Sequence, residues 1–314
     1  MVDPVVLFFL LGAMAGFVRS DLRLPEALYE TLTILLLLSI GLKGGVELAR
    51  QPLLAIAPRA GAVTALGLLL PLLAYPLLRK AGRLSRADAA SIAAHYGSVS
   101  VGTYAVALAH LATRHIDAGE GSALYVALLE APAIFVGIWL ARRGGARGRP
   151  VRWRALLREV VLGRSVVLLM GGLAIGWAAG PDGMQPLEPL FFDLFKGLLA
   201  LFLLELGMVA ARRAGELRRT GLFLILFGIA MPLFSSLLGG LLGVALGMSV
   251  GETALLATLA ASASYIAVPA AMRLAVPEAN PALSLAASLG VTFPFNVLVG
   301  IPLYLGLARQ LHGL

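Results

Sequence analysis

Cysteine is absent from this chain, which excludes disulfides and thiolate metal sites and leaves the redox compartment unmarked. Charge is scarce as well: only 13% of the 314 residues are Asp, Glu, Lys or Arg, against about a quarter in a soluble domain. With 59% hydrophobic residues and a mean hydropathy of +0.91, that shortage sets the class as an all-α integral membrane protein. The sequence offers no metal-ligand cluster, nucleophile triad or phosphate loop, so neither an enzyme nor a resident cofactor is expected. A net charge of +8 invites a nucleic-acid reading. The arginines, however, are divided among several loops between apolar runs, so they speak to topology and no nucleic-acid partner is expected. The first residues carry no basic region and no cleavage pattern, and read as a membrane helix rather than a signal peptide.

A membrane crossing takes roughly 20 apolar residues. Ten candidates follow, at 4–18, 25–46, 54–78, 87–112, 120–141, 162–180, 187–209, 221–246, 250–273 and 281–308. Loops after the odd-numbered spans hold Arg19, Arg23, Arg79, Lys80, Arg83, Arg86, eight arginines within 142–164, Arg212, Arg213, Arg218, Arg219 and Arg273. The other side has Lys43, Arg50, Arg59, Arg114 and Arg309, with Lys196 inside a span. The excess of positive charge puts the odd loops in the cytoplasm and both termini outside.

The halves resemble each other in order. Val5-Val6 with Gly12 and Gly16 matches Val166-Val167 with Gly172 and Gly176. Gly44 stands opposite Gly207, Ser98 opposite Ser262, Ser100 opposite Ser264, and Glu130 opposite Thr292. The offset stays between 160 and 164. Five spans per half is an odd number, so the second half enters from the opposite side. The expected organisation is a first five-helix repeat over 1–141, a basic cytoplasmic linker over 142–164 read as a solvated loop, and an inverted five-helix repeat over 165–314.

Both halves interrupt an apolar span with small hydroxyl residues. Unpaired backbone groups are costly in hydrocarbon, so broken helices persist only around protected polar cavities. In the fourth span Gly97 and Gly102 bracket the interruption, as residues tolerant of unusual backbone angles. In the ninth the break is expected over 262–267, with the second half-helix opening at Pro269, where a missing N–H does no harm. Helix N-termini attract anions, so two such starts meeting at mid-bilayer would hold a small anion with Ser98, Ser100, Thr103, Ser262 and Ser264. Carbonyls at the ends of the first half-helices suit sodium. Small-residue patterns also serve close helix packing, and that alternative stays open here.

Other polar residues have two readings each. Glu130 lies mid-span and serves either a sodium or proton site or an interhelical hydrogen bond. Thr292 and Asn296, on one face around Pro294, either complete a cation site or make packing hydrogen bonds. His95 reads as a packed neutral side chain ahead of a proton-coupling role. Glu205 reads as structurally paired, Asp193 with Lys196 as an i, i+3 pair, and Lys43 with Glu47 as an i, i+4 pair.

Several stretches resemble the bacterial sodium-dependent bicarbonate transporter family. They are Arg19-Ser-Asp-Leu22, Leu24-Pro-Glu-Ala27, Ile40-Gly-Leu-Lys-Gly-Gly-Val-Glu-Leu48, His95-Tyr-Gly-Ser-Val-Ser100, the run from Ser262 to Arg273, Pro277-Glu-Ala-Asn-Pro281, and Ser288-Leu-Gly-Val-Thr-Phe-Pro-Phe-Asn296. The resemblance implies ten helices in two inverted repeats, a core of spans 3–5 and 8–10, a gate of spans 1, 2, 6 and 7, a homotrimer in the lipid bilayer, and sodium-dependent bicarbonate uptake by an elevator motion. Carried over by motif, Gly97, Ser98, Ser100, Gly102, Thr103, Ser262, Ser264, Tyr265 and Phe295 would line the bicarbonate site, and Ser98, Ser262, Glu130, Thr292 and Asn296 the sodium site. Cyanobacterial members carry a longer segment between the halves and a PII-like regulatory partner; the short linker here argues against one. Rival readings are a sodium symporter of another small monocarboxylate, a proton or cation antiporter using Glu130 and His95, and an ion-binding scaffold without flux.

Overall fold

The computed structural model describes residues 3–50, 53–119, 121–143, 153–214 and 221–314, and these are almost entirely helical. Six helices are long and apolar enough to cross a membrane: Glu26–Leu48, Ile56–Lys80, Ser122–Arg142, Arg164–Leu187, Leu222–Ala245 and Pro281–Leu311. The chain is thus an all-α multi-pass membrane protein. The four remaining expected spans fall on α1 (Pro4–Phe17), α10 (Phe195–Ala214) and two interrupted pairs.

In chain order the other helices are α2 (Glu26–Leu48), α3 (Leu53–Lys80), α4 (Arg86–Gly97), α5 (Val101–Ala112), α6 (Ser122–Glu130), α7 (Pro132–Arg142), α8 (Trp153–Val161) and α9 (Arg164–Met184). After α10 come α11 (Leu222–Ala245), α12 (Val250–Ala260) and α13 (Ala267–Ala275). The last helix, α14 (Pro281–Leu311), widens into π-helical turns at Ser288–Thr292 and Asn296–Gly300. These turns flank Pro294, whose missing N–H breaks the regular ladder.

Local chemistry sets the helix starts. Asp3 caps α1, accepting from the Val5 N–H at 3.0 Å, with Pro4 in the first turn. Ser85 opens α4 by accepting from the Asp88 N–H at 3.0 Å. Ser249 and Glu252 form a reciprocal capping box at α12. Glu252 also meets Arg59 of α3 at 3.2 Å, tying that helix start to a neighbouring span.

Two helix crossings repeat one contact. α1 packs on α10 and α2 on α9, each through glycines that bring backbone against backbone. A Cβ on Gly12 would lie 1.9 Å from the Leu204 carbonyl oxygen, and one on Gly176 2.1 Å from that of Leu42. A Cβ on Gly207 would meet the Phe9 carbonyl oxygen at 2.2 Å, and one on Gly45 that of Leu173 at 2.2 Å. The contacts therefore match Gly12 with Gly176 and Gly45 with Gly207, whereas sequence comparison set Gly12 opposite Gly172 and Gly44 opposite Gly207. Gly44 instead faces Ala123. The outward faces of α1, α9 and α11 carry Leu7, Met14, Met170, Trp177, Leu226 and Leu237, all exposed, as lipid-facing surfaces require.

Several expected boundaries move. The fifth span divides at Ala131, because Pro132 cannot donate into a continuous ladder. The sixth kinks at Gly180, whose φ is 64°, ahead of Pro181. The seventh begins at Phe195 and not 187, since Pro186 and Pro189 hold the chain in short 3₁₀ and π turns first. Within the linker read as a solvated loop, α8 is helical and buries Leu156 and Val160; residues 144–152 lie outside the described residues, as do Arg218 and Arg219 of the next basic loop.

Candidate functional site

The fourth and ninth spans are both interrupted, and the interruptions touch. Between α4 and α5 the backbone runs extended from Ser98, at φ −99° and ψ 175°, to Ser100, at φ −110° and ψ 113°. Between α12 and α13 it leaves helix after Ala261 and re-enters at Ala267, two residues before the expected opening at Pro269. The Ser100 N–H donates to the Ser262 hydroxyl at 3.0 Å, and the Ser264 N–H donates to the His95 carbonyl at 2.9 Å. Each break thus satisfies part of the other's freed backbone, as buried irregular segments must.

The remaining hydroxyls are tightly placed. Ser100 caps α5, its oxygen accepting from the Thr103 N–H at 3.1 Å and the Thr103 hydroxyl at 3.0 Å. Ser262 donates to the Leu259 carbonyl at 2.8 Å, and Ser98 donates to the Glu130 backbone carbonyl at 3.0 Å. α13 has no side-chain cap at Ile266; the Val268 N–H reaches the Ser264 hydroxyl only at 3.5 Å. Ser98, Ser100, Thr103, Ser262 and Ser264 are all buried.

Gly97 and Gly102 serve space, not backbone freedom, because neither has a positive φ. A Cβ on Gly97 would sit 2.4 Å from Pro71 and 2.8 Å from Ala133, and one on Gly102 would sit 2.5 Å from the Tyr265 hydroxyl. That hydroxyl is buried and faces Ser100 without a well-formed hydrogen bond. The aromatic ring at the crossing is Phe293, edge-on to Tyr265 at 5.5 Å. Phe295, which the sequence singled out, is half-buried. Alternation of two phenylalanines around Pro294 gives no signal for which one turns inward.

Asn296 belongs to the crossing: its amide nitrogen donates to the Ala261 carbonyl at 2.9 Å, and its oxygen accepts from the Tyr304 hydroxyl at 2.7 Å. Thr292 sits elsewhere, donating to the Gly228 carbonyl at 2.7 Å and lying 2.7 Å from the Tyr96 hydroxyl. The Glu130 carboxyl lies beside Ser165 at the start of α9, buried with one oxygen unpartnered. The structure therefore brings Asn296 to the breaks with Ser98, Ser100, Ser262 and Ser264, while the Glu130 and Thr292 side chains point to other neighbours. His95 is packed, its Nδ1 lying 2.7 Å from the Ser91 carbonyl. Glu205 lies 3.9 Å from Arg212. Among the described residues no ion pair joins Asp193 to Lys196.

Open space beside the breaks is small. Thr33, Leu36 and Leu37 of α2 and Phe202 of α10 close over Val101, Gly102, Ala105 and Ile266, leaving a cavity of about 10 Å³, on the order of one water molecule. A cavity of about 360 Å³ lies along α2, α5 and the start of α10, with Lys43, Glu47, Asp193 and Lys196 on its walls. A cleft of about 150 Å³ is bounded by His95, Pro269, Arg273 and Ser284.

A bundle of apolar helices enclosing two interrupted, mutually hydrogen-bonded segments is the architecture of a membrane transport protein. The sequence model of the Na+-dependent bicarbonate transporter superfamily matches residues 4–309, nearly the whole length, and the chain belongs to that family. It is accordingly a transporter of the bicarbonate-transporter family and not an enzyme. No curated protein matches the chain significantly.

Proposed function

We propose that the chain is a sodium-dependent bicarbonate symporter of the bacterial inner membrane, built of ten spans in two inverted repeats, with both termini outside. The observation carrying this reading is the pair of mutually hydrogen-bonded breaks, Ser100 to Ser262 and Ser264 to His95. They join the break before α5 to the end of α12 and the break before α13 to the end of α4, and Val101, Gly102 and Ile266 at the two helix starts border one small cavity, so both amide-rich positive ends lie near it. The repeated glycine crossings support the inverted repeat.

Bicarbonate binds between these ends, against Ser98, Ser100, Thr103, Ser262, Ser264 and the Tyr265 hydroxyl, with Gly97 and Gly102 keeping the approach narrow. Among the described residues no three His, Cys, Asp or Glu gather as a metal site. Sodium would therefore rest on hydroxyl and carbonyl oxygens near Ser98, Ser262 and Asn296, a ligand set suited to a hard cation. Glu130 and Thr292 take part only if their side chains turn from the partners described above. The cation offsets the anion's charge in a low-dielectric site, and the sodium gradient drives uptake.

Because α2 and α10 close the crossing to about one water, access requires the interrupted segments to shift against those helices. An elevator motion of spans 3–5 and 8–10 within a homotrimer supplies it. The test is labelled bicarbonate uptake into proteoliposomes with and without an inward sodium gradient, competed by acetate, formate and pyruvate. Uptake that needs sodium and resists those acids supports the reading; sodium-independent uptake removes the coupling, and strong competition moves the substrate to another monocarboxylate.

A further inference from the structure

The linker helix α8 (Trp153–Val161) has two apolar faces, and only one is covered by protein. Leu156 and Val160 are buried in a cluster with Val268, Ala271 and Met272 of α13, the helix on which α8 packs. Trp153, Leu157 and Val161 are 53%, 46% and 54% exposed, and Leu162 just beyond is 62% exposed.

At about 100° per residue, Trp153, Leu157 and Val161 continue the buried arc around the helix as one stripe, while Leu162 lies past the helix end and off it. Arg154 and Arg158, also exposed, border that stripe on its far side. Glu159 falls on the remaining polar face, away from the arginines. An apolar stripe flanked by arginines is the pattern of a helix lying in a bilayer interface, with apolar side chains at the acyl boundary and guanidinium groups among the headgroups.

Position agrees with pattern. Two residues separate α8 from α9, a span whose outward residues Val167 and Met170 are themselves exposed. The corner between the helices is held by Arg164 on Glu30 at 3.2 Å. The exposed stripe thus lies two residues from a span with lipid-facing side chains, next to the most arginine-rich segment of the chain.

We propose that α8 is an interfacial helix that binds the headgroups of anionic phospholipid through Arg154 and Arg158 while Trp153, Leu157 and Val161 enter the bilayer. Its buried face rests on α13, the helix that begins at the second break, so the lipid contact bears on the element carrying half of the crossing. This proposal does not depend on which ion is transported.

The experiment keeps Trp153 as the sole tryptophan in the full-length chain, with Trp139→Phe and Trp177→Phe. The protein is reconstituted separately in vesicles containing brominated phosphatidylglycerol or brominated phosphatidylcholine, and quenching of Trp153 is read against aqueous iodide. Bromolipid quenches Trp153 strongly, more by phosphatidylglycerol, and iodide quenches it little. In the Arg154→Gln, Arg158→Gln variant the phosphatidylglycerol preference falls by roughly thirty-fold in relative lipid affinity, at about five-fold per arginine near an anionic surface, while Trp153 stays in reach of bromine. Quenching by iodide and not by bromolipid would overturn the proposal, because the helix would then stand in water. Equal quenching by both lipids in the parent removes the headgroup preference. Shielding from lipid and iodide alike would mean that a second protein surface covers the stripe, and equally overturns it.

Discussion

At the scale of single residues, backbone contact decides more than side-chain chemistry. Gly12 and Gly176 each admit a carbonyl oxygen so closely that a Cβ would stand near 2 Å from it. Backbone can retreat only by parting the helices, and overpacking of this kind costs about 1–3 kcal/mol or more. Gly12→Ala and Gly176→Ala should each lower the melting temperature in detergent by several degrees, whereas Gly171→Ala, with nothing within 4 Å, should leave it unchanged or raise it. Scanning fluorimetry checks all three. Ser235 gives the converse case: its hydroxyl is buried without a hydrogen-bond partner, so Ser235→Ala should be neutral or stabilising by up to about 1 kcal/mol. A drop of several degrees would mean that this hydroxyl has a partner in the folded protein.

Residue types at the crossing were readable in sequence, because paired hydroxyls and glycines at matching places in two apolar runs mark a departure from plain lipid-spanning helix. Their partners were not. Gly97 reads as a conformational device until Pro71 is found against it. Phe293 and Phe295 differ only in which way a π-widened helix turns them, and local sequence does not determine that widening.

Among elements, the ends of the interrupted helices hold one another. Asn296 of α14 donates to the carbonyl of Ala261, at the buried C-terminal end of α12. Asn296→Ala removes that donor and the acceptor for Tyr304, leaving two buried groups unpaired at roughly 1–3 kcal/mol each. It should destabilise the protein markedly, while Asn296→Asp, which retains the oxygen that accepts from Tyr304, should recover only part of the loss. Thermal unfolding of the purified protein measures both. Equal stability of Asn296→Ala and the parent would mean that the second break is not held from α14.

Both interruptions were legible because a repeated hydroxyl pattern within a long apolar run contradicts a continuous span. The opening of α13 at Ala267 and not Pro269 shows the limit: proline is tolerated throughout a first turn, so it marks the turn and not its first residue. α8 was hidden by its own arginines. Their number announced a cytoplasmic loop, while the pairing of Leu156 with Val160 became visible only against α13.

For the whole molecule, charge and hydropathy gave the class and the arginine asymmetry gave an orientation. Absence of cysteine makes the orientation directly measurable. Cysteines introduced at Ala81 and Ala112, both exposed and on opposite sides in this topology, should label differently with a membrane-impermeant maleimide. Ala112→Cys should react in intact cells, and Ala81→Cys only after permeabilisation. The reverse pattern would invert the topology. What the sequence could not supply is the closure of the crossing by α2 and α10, which depends on how two distant glycine-lined helix pairs pack.

The most direct measurement is sodium-driven bicarbonate uptake by Ser100→Ala and Ser264→Ala, with the fold of each variant verified by thermal unfolding. Loss of the cap on α5 and of a hydroxyl within the second break should cut the initial rate at least ten-fold, equivalent to about 1.4 kcal/mol at the transport step, while melting temperatures fall by only a few degrees. Rates equal to the parent's in both folded variants would place the substrate away from the meeting point of the two broken spans.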